Sequence, residues 1–211
     1  IMSDMYGLAN ESYLREDELG RLKTIFWAFN IVDFCPYLNG NALISDFNGK
    51  SLSAVDNTNE QSVRITGTWF NHHLALPTGE ELDTGMVEMK KWWTVQGEWL
   101  SESDDNMIML GTELAKKFGI ASGQKISLDG KTFTVKSIFD SGSDDDDFVY
   151  MNLSSAQKLF GKEGLISSIE VSALTTPDND LARKAAQDPE SLNPRDWDTW
   201  YCTAYVSSIC Y

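Results

Sequence analysis

The two histidines of the chain, His72 and His73, are adjacent and are followed by a short acidic stretch. Imidazole and carboxylate groups are common zinc ligands, and a site needs about three or four of them. Neighbouring residues on a strand point to opposite faces, so the pair can hold one ion only from a loop. No standard metal spacing is present, and loop histidines without a metal role are the alternative interpretation. Further ligands for a site at His72 and His73 would be Glu80, Glu81, Asp83 and Cys202.

Tryptophan is the second unusual feature, with seven in 211 residues. Trp92, Trp93 and Trp99 lie in a stretch, residues 69–99, that lacks clear helical or strand periodicity. Exposed tryptophans mark interaction surfaces, whereas buried ones only pack. We predict these three as candidate contacts for a partner or substrate, with core packing as the alternative.

Other chemistry has little support in the sequence. The acidic run at residues 144–147 lacks the alternating ligands and the Gly-x5-Glu of an EF-hand, which predicts a solvated loop. Met86 and Met89 offer soft sulfur for copper(I), but only weakly. No G-x-S-x-G, H-E-x-x-H, P-loop or C-x-x-C motif is present. We therefore predict that the chain is not an enzyme and has no cofactor.

The most regular stretch of the chain is residues 107–160. An apolar strand leads into a short helix that ends at Gly119, which suits the left-handed position after a helix. Asp129-Gly130 predicts a tight hairpin, because a type I′ turn needs positive φ at both central positions. The following strand changes phase, which predicts a bulge near Lys136-Ser137. A flexible acidic loop, a strand and a helix ending at Gly161 complete the stretch.

The flanking segments predict further helices and strands. Apolar spacing predicts a helix over residues 11–29, then a strand from 31 that Pro36 either ends or marks as an edge strand. Asn48-Gly49 predicts a hairpin between residues 42–46 and 52–55. Strands are also expected over residues 63–70 and 165–174, and a helix from Thr176.

Composition limits the classes of function. With 42% hydrophobic residues, 211 residues are enough for a core of one large or two small domains. A net charge of −15 repels nucleic-acid backbones, so nucleic acid is not an expected partner. No run approaches the ~20 apolar residues of a membrane helix. The first residue is Ile and the chain ends within an apolar pattern, from which we expect an excised domain.

The order of elements in residues 107–160 resembles the extracytoplasmic domain of MacB-type ABC transporter permeases, the group that includes FtsX-like permeases. No single residue pair is specific to this family, but the ordered set of residues is specific for its fold. It comprises Leu110, Gly111, Leu114, Ala115, Gly119, Ile120, Gly123, Ile126, Leu128, Gly130, Phe133, Val135, Val149, Leu153, Ala156 and Gln157. Residues 69–99 depart from the generic MacB pattern in being longer.

The resemblance implies an α+β fold, a MacB-like periplasmic domain with two subdomains. One is discontinuous and α/β, from residues 1–60 and 166–211, and the other, residues 61–165, is inserted and β-rich. In this family the terminal segments come together, so the resemblance also implies a possible disulfide between Cys35 and Cys202. Three buried thiols are the alternative interpretation.

The resemblance implies the function of a permease subunit that couples cytoplasmic ATP hydrolysis to movement outside the membrane. The expected partners are an ABC ATPase subunit, a second permease copy or paralogue, and an extracytoplasmic binding protein. The expected location is the cell membrane, with this domain on the extracytoplasmic side. The alternative is an extracytoplasmic metal- or substrate-binding module that uses residues 69–99.

Overall fold

The computed structural model describes residues 13–24, 30–50, 52, 62–76, 79 and 81–174. The chain forms two compact units, residues 1–172 and 173–211, and nearly all described residues belong to the first. The strands are β1 (Leu14–Arg15), β2 (Ile31–Asp46), β3 (Ser62–Thr68), β4 (His72–Ala75), β5 (Glu81–Thr84), β6 (Thr94–Gln96), β7 (Met107–Gly111), β8 (Lys125–Leu128), β9 (Lys131–Asp140), β10 (Phe148–Asn152), β11 (Leu165–Ile166) and β12 (Ser168–Ala173). The helices are α1 (Met86–Met89), α2 (Thr112–Phe118) and α3 (Leu153–Phe160), with 3₁₀ helices at Glu16–Thr24 and Asp144–Asp147.

Six strands of the main sheet pair in a closed ring. β2 pairs with β3, β3 with β10, β10 with β7, β7 with β9, β9 with β8, and β8 pairs back with β2. The pairs β3–β10 and β7–β9 are parallel and the others antiparallel. β12 extends the sheet beside β2, and β6 extends it beside β9. Since the pairings close on themselves, a strand of the ring has a hydrogen-bonded neighbour on each side.

Alternation along the strands of the ring produces two hydrophobic clusters. Ile108 and Leu110 of β7 belong to the larger cluster, whereas Met109 between them belongs to the smaller one. Tyr150 of β10 likewise belongs to the smaller cluster, between two residues of the larger. Because successive side chains point to opposite faces, β7 and β10 are buried on both faces. This double burial explains why β7 is a continuous apolar run.

Helix α3 lies directly against β2 and β3 at two glycines. A Cβ atom on Gly67 of β3 would lie 2.2 Å from the Cβ of Ala156, and one on Gly40 of β2 would lie 2.5 Å from the Phe160 ring. Such distances are far inside van der Waals contact, so no larger side chain fits at these strand positions without movement. The helix can therefore pack this close to the sheet because Gly40 and Gly67 have no side chains.

The predicted turn and bulge are present. Asp129 and Gly130 have φ values of 48° and 80°, which join β8 and β9 in a tight hairpin. The register of β7 against β9 shifts between Ile108 and Met109, so that Lys136 is skipped. The αL glycines after α2 and α3, Gly119 and Gly161, are also as predicted.

Three local predictions are wrong. The strand does not end at Pro36, because β2 continues from Ile31 to Asp46 and the Pro36 carbonyl accepts a hydrogen bond from Thr68. The helix predicted over 11–29 begins too early, because Leu14–Arg15 is strand β1, and the helix that follows, at Glu16–Thr24, is a 3₁₀ helix. The acidic run is not fully solvated: Asp146 is buried, and its carboxylate accepts hydrogen bonds from the backbone and hydroxyl of Ser141.

The main sheet crosses the subdomain boundary predicted at residue 60, since β2 pairs with β3. Residues 175–211, most of the predicted C-terminal part of the discontinuous subdomain, lie outside the described residues. The division into 1–60 with 166–211 and 61–165 stays a prediction. Among the helices in the described ranges, none is long and apolar enough to cross a membrane.

Candidate contact surface around Trp92

Trp93 is the centre of a buried aromatic cluster. The residue immediately precedes β6, which pairs with the end of β9. The Trp93 ring stacks on Phe139, with centroids 4.5 Å apart and an interplanar angle of 8°, and meets Tyr150 edge-on at 5.3 Å. Only 7% of Trp93 is exposed. Its position is that of a packing residue, and it offers little surface to a partner.

Trp99 lies at the side of the same cluster. Its ring centroid is 6.1 Å from that of Trp93 and 6.2 Å from that of Phe70, and the residue is partly buried. Together with Met86 and Met109, these rings form the smaller hydrophobic core. Met86 and Met109 are fully buried there, so their sulfur atoms serve packing.

Trp92 differs from its neighbour, since 65% of it is exposed. It follows α1 in a turn, and the Nζ of Lys90 lies 5.3 Å from its ring centroid. An ammonium over an indole face is a favourable cation–π geometry that orients the ring without burying it. Of the three predicted contact residues, Trp92 is therefore the one whose side chain is presented at the surface. Partner contact at Trp92 stays a prediction.

Lys90 connects Trp92 to a polar network. Its Nζ donates a 2.7 Å hydrogen bond to Oε1 of Glu170 on β12, and the Tyr37 hydroxyl donates a 2.5 Å bond to Oε2 of the same carboxylate. Partial burial raises the pKa of Glu170, but the bonds from Lys90 and Tyr37 outweigh it, and the net pKa lies below the usual value. The Glu170 carboxylate is therefore ionised at neutral pH, with both oxygens bound.

A polar cavity of about 230 Å³ opens at this network. On its other side the Tyr150 hydroxyl donates a 2.8 Å hydrogen bond to Oδ1 of Asp145. Burial raises the pKa of both Tyr37 and Tyr150, so the two hydroxyls keep their protons. The residues that line the cavity are Tyr37, Asn39, Thr66, Lys90, Asp145, Phe148, Tyr150 and Glu170.

The sequence contains no signal that connects these residues. Lys90 and Glu170 are 80 positions apart, and Tyr37 and Glu170 are 133 apart. β12 lies beside β2 in the sheet, which brings Glu170 to Tyr37. The tryptophans of residues 69–99 indicated this region of the chain, but they did not indicate the pairing of Lys90 with Glu170.

The two histidines lie on β4 and have separate partners. The His72 ring stacks on Trp69 at a centroid distance of 4.0 Å and 24°, and its Nδ1 bonds with the Glu102 carboxylate. His73 lies across from Asp83 of β5, with 2.8 Å between Nδ1 and Oδ1, and this hydrogen bond raises the pKa of His73. Adjacent side chains of a strand point to opposite faces, which explains why the two histidines have different partners.

Within the described ranges, no group of three or more His, Cys, Asp or Glu side chains is placed to hold a metal ion. Of the ligands that the sequence suggested, Glu80 and Cys202 lie outside those ranges. Cys35 is buried on β2, where its Sγ lies 2.8 Å from Oγ1 of Thr68, and burial raises the pKa of the thiol to about 12. The pairing of Cys35 with Cys202 lies outside the described residues and stays a prediction.

Comparison with known families adds evidence that the geometry does not contain. The model of the MacB-like periplasmic core domain matches residues 39–188. The chain belongs to this family. A comparison with curated proteins gave no match.

Two solved structures resemble this MacB-like domain. One is the periplasmic region of MacB from Actinobacillus actinomycetemcomitans, with a TM-score of 0.54, 14% identity, and coverage of 83% of this chain and 72% of that one. The other is the extracellular domain of the noncanonic ABC-type transporter YknZ from Gram-positive bacteria, with the same score, identity and coverage of this chain, and 78% of that chain. At this identity they show the fold alone.

The recognition made from residues 107–160 is thus confirmed: this is a MacB-like periplasmic domain of the FtsX/MacB transporter type. The α+β fold class is confirmed by the two structures. The family match covers most of the ring, from within β2 through β10, and also Trp92, Lys90 and Glu170. Lys90, Trp92 and Glu170 therefore lie within the matched family domain, whereas Tyr37 precedes the matched range.

Proposed function

We propose that this chain is the extracytoplasmic domain of an ABC transporter permease subunit and passes ATP-driven movement across the membrane. The observation that carries the proposal is the family match over residues 39–188. In this arrangement an ABC ATPase subunit hydrolyses ATP on the cytoplasmic side, and the domain itself performs no catalysis. The parent protein is located in the cell membrane, with this domain on the extracytoplasmic side.

The packing of the domain supports a mechanical role. A closed ring of strands around a filled core resists deformation, since packed interiors have low compressibility. Such a unit moves as a rigid body, and movement is transmitted by a change in its orientation.

A second permease copy or paralogue is the expected partner against which the domain moves. The exposed Trp92 supports contact with an extracytoplasmic binding protein.

The test uses the parent permease with its ATPase subunit in lipid nanodiscs. A keto amino acid replaces the exposed Lys125 of β8 in each permease copy and carries a spin label, so that native cysteines stay unmodified. We expect the distance distribution between the two labels to shift when ATP and vanadate trap the ATPase. ADP is the control and should leave the distribution unchanged. Identical distributions in both conditions would refute the coupling.

The metal-binding alternative has less support, because His72 and His73 each bond to a different carboxylate. Calorimetric titration of the chain with Zn²⁺ tests it. We expect the wild type to show no saturable heat beyond that of a His72→Ala/His73→Ala variant. A stoichiometric binding isotherm that disappears in the variant would establish the metal site instead.

A further inference from the structure

The lining of the cavity beside Trp92 contains carboxylate and hydroxyl oxygens together with the donor groups of Asn39 and Lys90. The Tyr37 and Tyr150 hydroxyls donate to Glu170 and Asp145, so each oxygen can act toward a further group only as an acceptor. One of the three N–H groups of the Lys90 ammonium donates to Glu170. A ligand that enters this space meets the oxygen lone pairs of two carboxylates and two phenol hydroxyls, which can accept hydrogen bonds from a ligand rich in N–H groups.

The charges of the cavity favour a cation. Of the residues that line the cavity, Lys90 is cationic and Glu170 and Asp145 are anionic, so the lining has a surplus of one negative charge. The whole chain has a net charge of −15, which attracts cationic partners at long range. Because the carboxylates are partly removed from water, a cation beside them is screened less than at an open surface.

Aromatic rings also contribute to the lining of this cavity. Phe148 and Tyr150 line the cavity, and the Trp92 ring centroid lies 5.3 Å from the Nζ of Lys90, which also lines it. One face of the Phe148 ring is taken by the Arg64 guanidinium, which lies 4.0 Å from the centroid and is itself paired with Asp147. Aromatic faces beside carboxylates form the usual environment for an ammonium or guanidinium group.

The size of the cavity limits the occupant. Pockets for small-molecule ligands span roughly 300–1,000 Å³, and this cavity has about 230 Å³. That volume accommodates one long side chain. We propose that the cavity binds the ammonium or guanidinium group of a lysine or arginine side chain of the extracytoplasmic partner protein, while Trp92 covers its aliphatic stem. This inference rests on the proposed function and names the chemistry of the partner.

The probes are the capped peptides acetyl-Gly-Gly-Lys-Gly-Gly-amide and its Arg, Met and Glu counterparts, titrated into the ¹⁵N-labelled chain and followed by NMR. We expect the Lys and Arg peptides to shift the Trp92 indole resonance saturably. The dissociation constant should be on the order of millimolar, because one side chain must offset the cost of association. The Met and Glu peptides should leave the resonance in place. Equal shifts with the Met peptide, or no saturable shift with any peptide, would overturn the proposal.

Three variants test the location. Glu170→Gln and Asp145→Asn should each weaken binding of the Lys peptide by about tenfold, since each removes a charged hydrogen-bond acceptor. Glu88→Gln is the matched control, because it removes the same charge from α1 at an exposed ion pair with Lys91. Equal weakening in Glu88→Gln would show non-specific charge attraction and overturn the site. Two independent variants keep the test valid if one of them fails to fold.

A small free amine must be distinguished from a protein side chain. n-Butylamine has the ammonium and stem of lysine but no backbone, so we expect it to bind more weakly than the Lys peptide. Equal or tighter binding of butylamine would overturn the partner-protein occupant. Peptide binding and the spin-label distances are independent measurements. If the distances respond to ATP and no peptide binds, this inference fails while the proposed function stands. If the Lys peptide binds and the distances do not respond to ATP, the cavity binds the cationic group while the proposed coupling fails.

Discussion

At the scale of single residues, Trp92 and Trp93 show how one position along the chain changes the role of a side chain. Trp93 is held between Phe139 and Tyr150, and Trp92 is mostly in solvent. We expect Trp93→Ala to lower the free energy of unfolding by about 3–5 kcal/mol, the range for a large aromatic residue removed from a core. Trp92→Ala should cost less than about 1 kcal/mol.

Urea denaturation of the two variants measures the difference. Each variant is the control for the other, because the same side chain is removed at adjacent positions. Similar losses of stability in both would contradict the assignment of Trp93 to packing and of Trp92 to the surface.

Glu170 gives a pH-dependent prediction. Its pKa in the folded protein is lower than the usual 4.5, so the unfolded chain binds a proton there more readily. The contribution of Glu170 to stability is therefore complete above pH 4.5 and is lost as the pH falls through the lowered pKa. We expect the stability difference between wild type and Glu170→Gln to be constant near neutral pH and to decline in acid.

The measurement is urea denaturation of both proteins across the acid range. Lys90→Met supplies the control background, since it removes the ammonium that donates to Glu170. In that background the pH-dependent part of the difference should become smaller. A stability difference that stays the same at all pH values would show that Lys90 and Tyr37 do not stabilise the ionised form of Glu170.

At the scale of elements, the contact of α3 with β3 depends on Gly67. A Cβ at this position would overlap that of Ala156. We expect Gly67→Ala to cost about 1–3 kcal/mol, because an extra methyl group in a packed interface forces the helix to move. Ala156→Gly frees the space opposite, although it costs about 1 kcal/mol within a helix.

A double-mutant cycle with urea denaturation tests this contact. The variant with both substitutions should be more stable than the sum of the two single losses predicts, since Ala156→Gly removes the methyl group that the new methyl group at position 67 would overlap. Additive losses would indicate that α3 already adjusts to a larger residue at position 67.

At the scale of the whole molecule, the closed ring predicts an uneven distribution of local stability. The amides of β3, β7 and β10 lie in strands paired on both sides, whereas β4 and β5, within the described residues, pair only with each other. We expect hydrogen exchange in these ring strands to require global unfolding and in the β4–β5 hairpin to proceed by local opening. Exchange in the hairpin should then be about 100-fold faster or more.

Exchange measured by mass spectrometry on peptides of the intact chain provides the comparison. The α1 segment after the hairpin serves as a reference for exchange from hydrogen-bonded amides outside the ring. The backbone amides of Met86 and Val87 donate to the carbonyls of Trp69 and Phe70. Uniform protection of the hairpin and the ring would contradict the prediction.

Local rules were sufficient for the parts of the fold that depend on neighbouring residues. The turn at Asp129-Gly130, the helix ends at Gly119 and Gly161 and the bulge at Lys136 all follow from backbone geometry or from the side-chain period of a strand. The ordered set of these features in residues 107–160 was also enough to indicate the family. Pro36 misled the local reasoning, since long-range pairing of β2 with β3 overrides the loss of one donor.

The sequence by itself determined the family, the α+β class and the region in which an unusual surface lies. Only the tertiary structure decided which tryptophan is exposed, because burial depends on the strands packed against it. The same holds for the pairing of Lys90 with Glu170 and Tyr37, which come together when β12 lies beside β2. Contacts between residues far apart in sequence have no local signal, since their free energy depends on the complete fold.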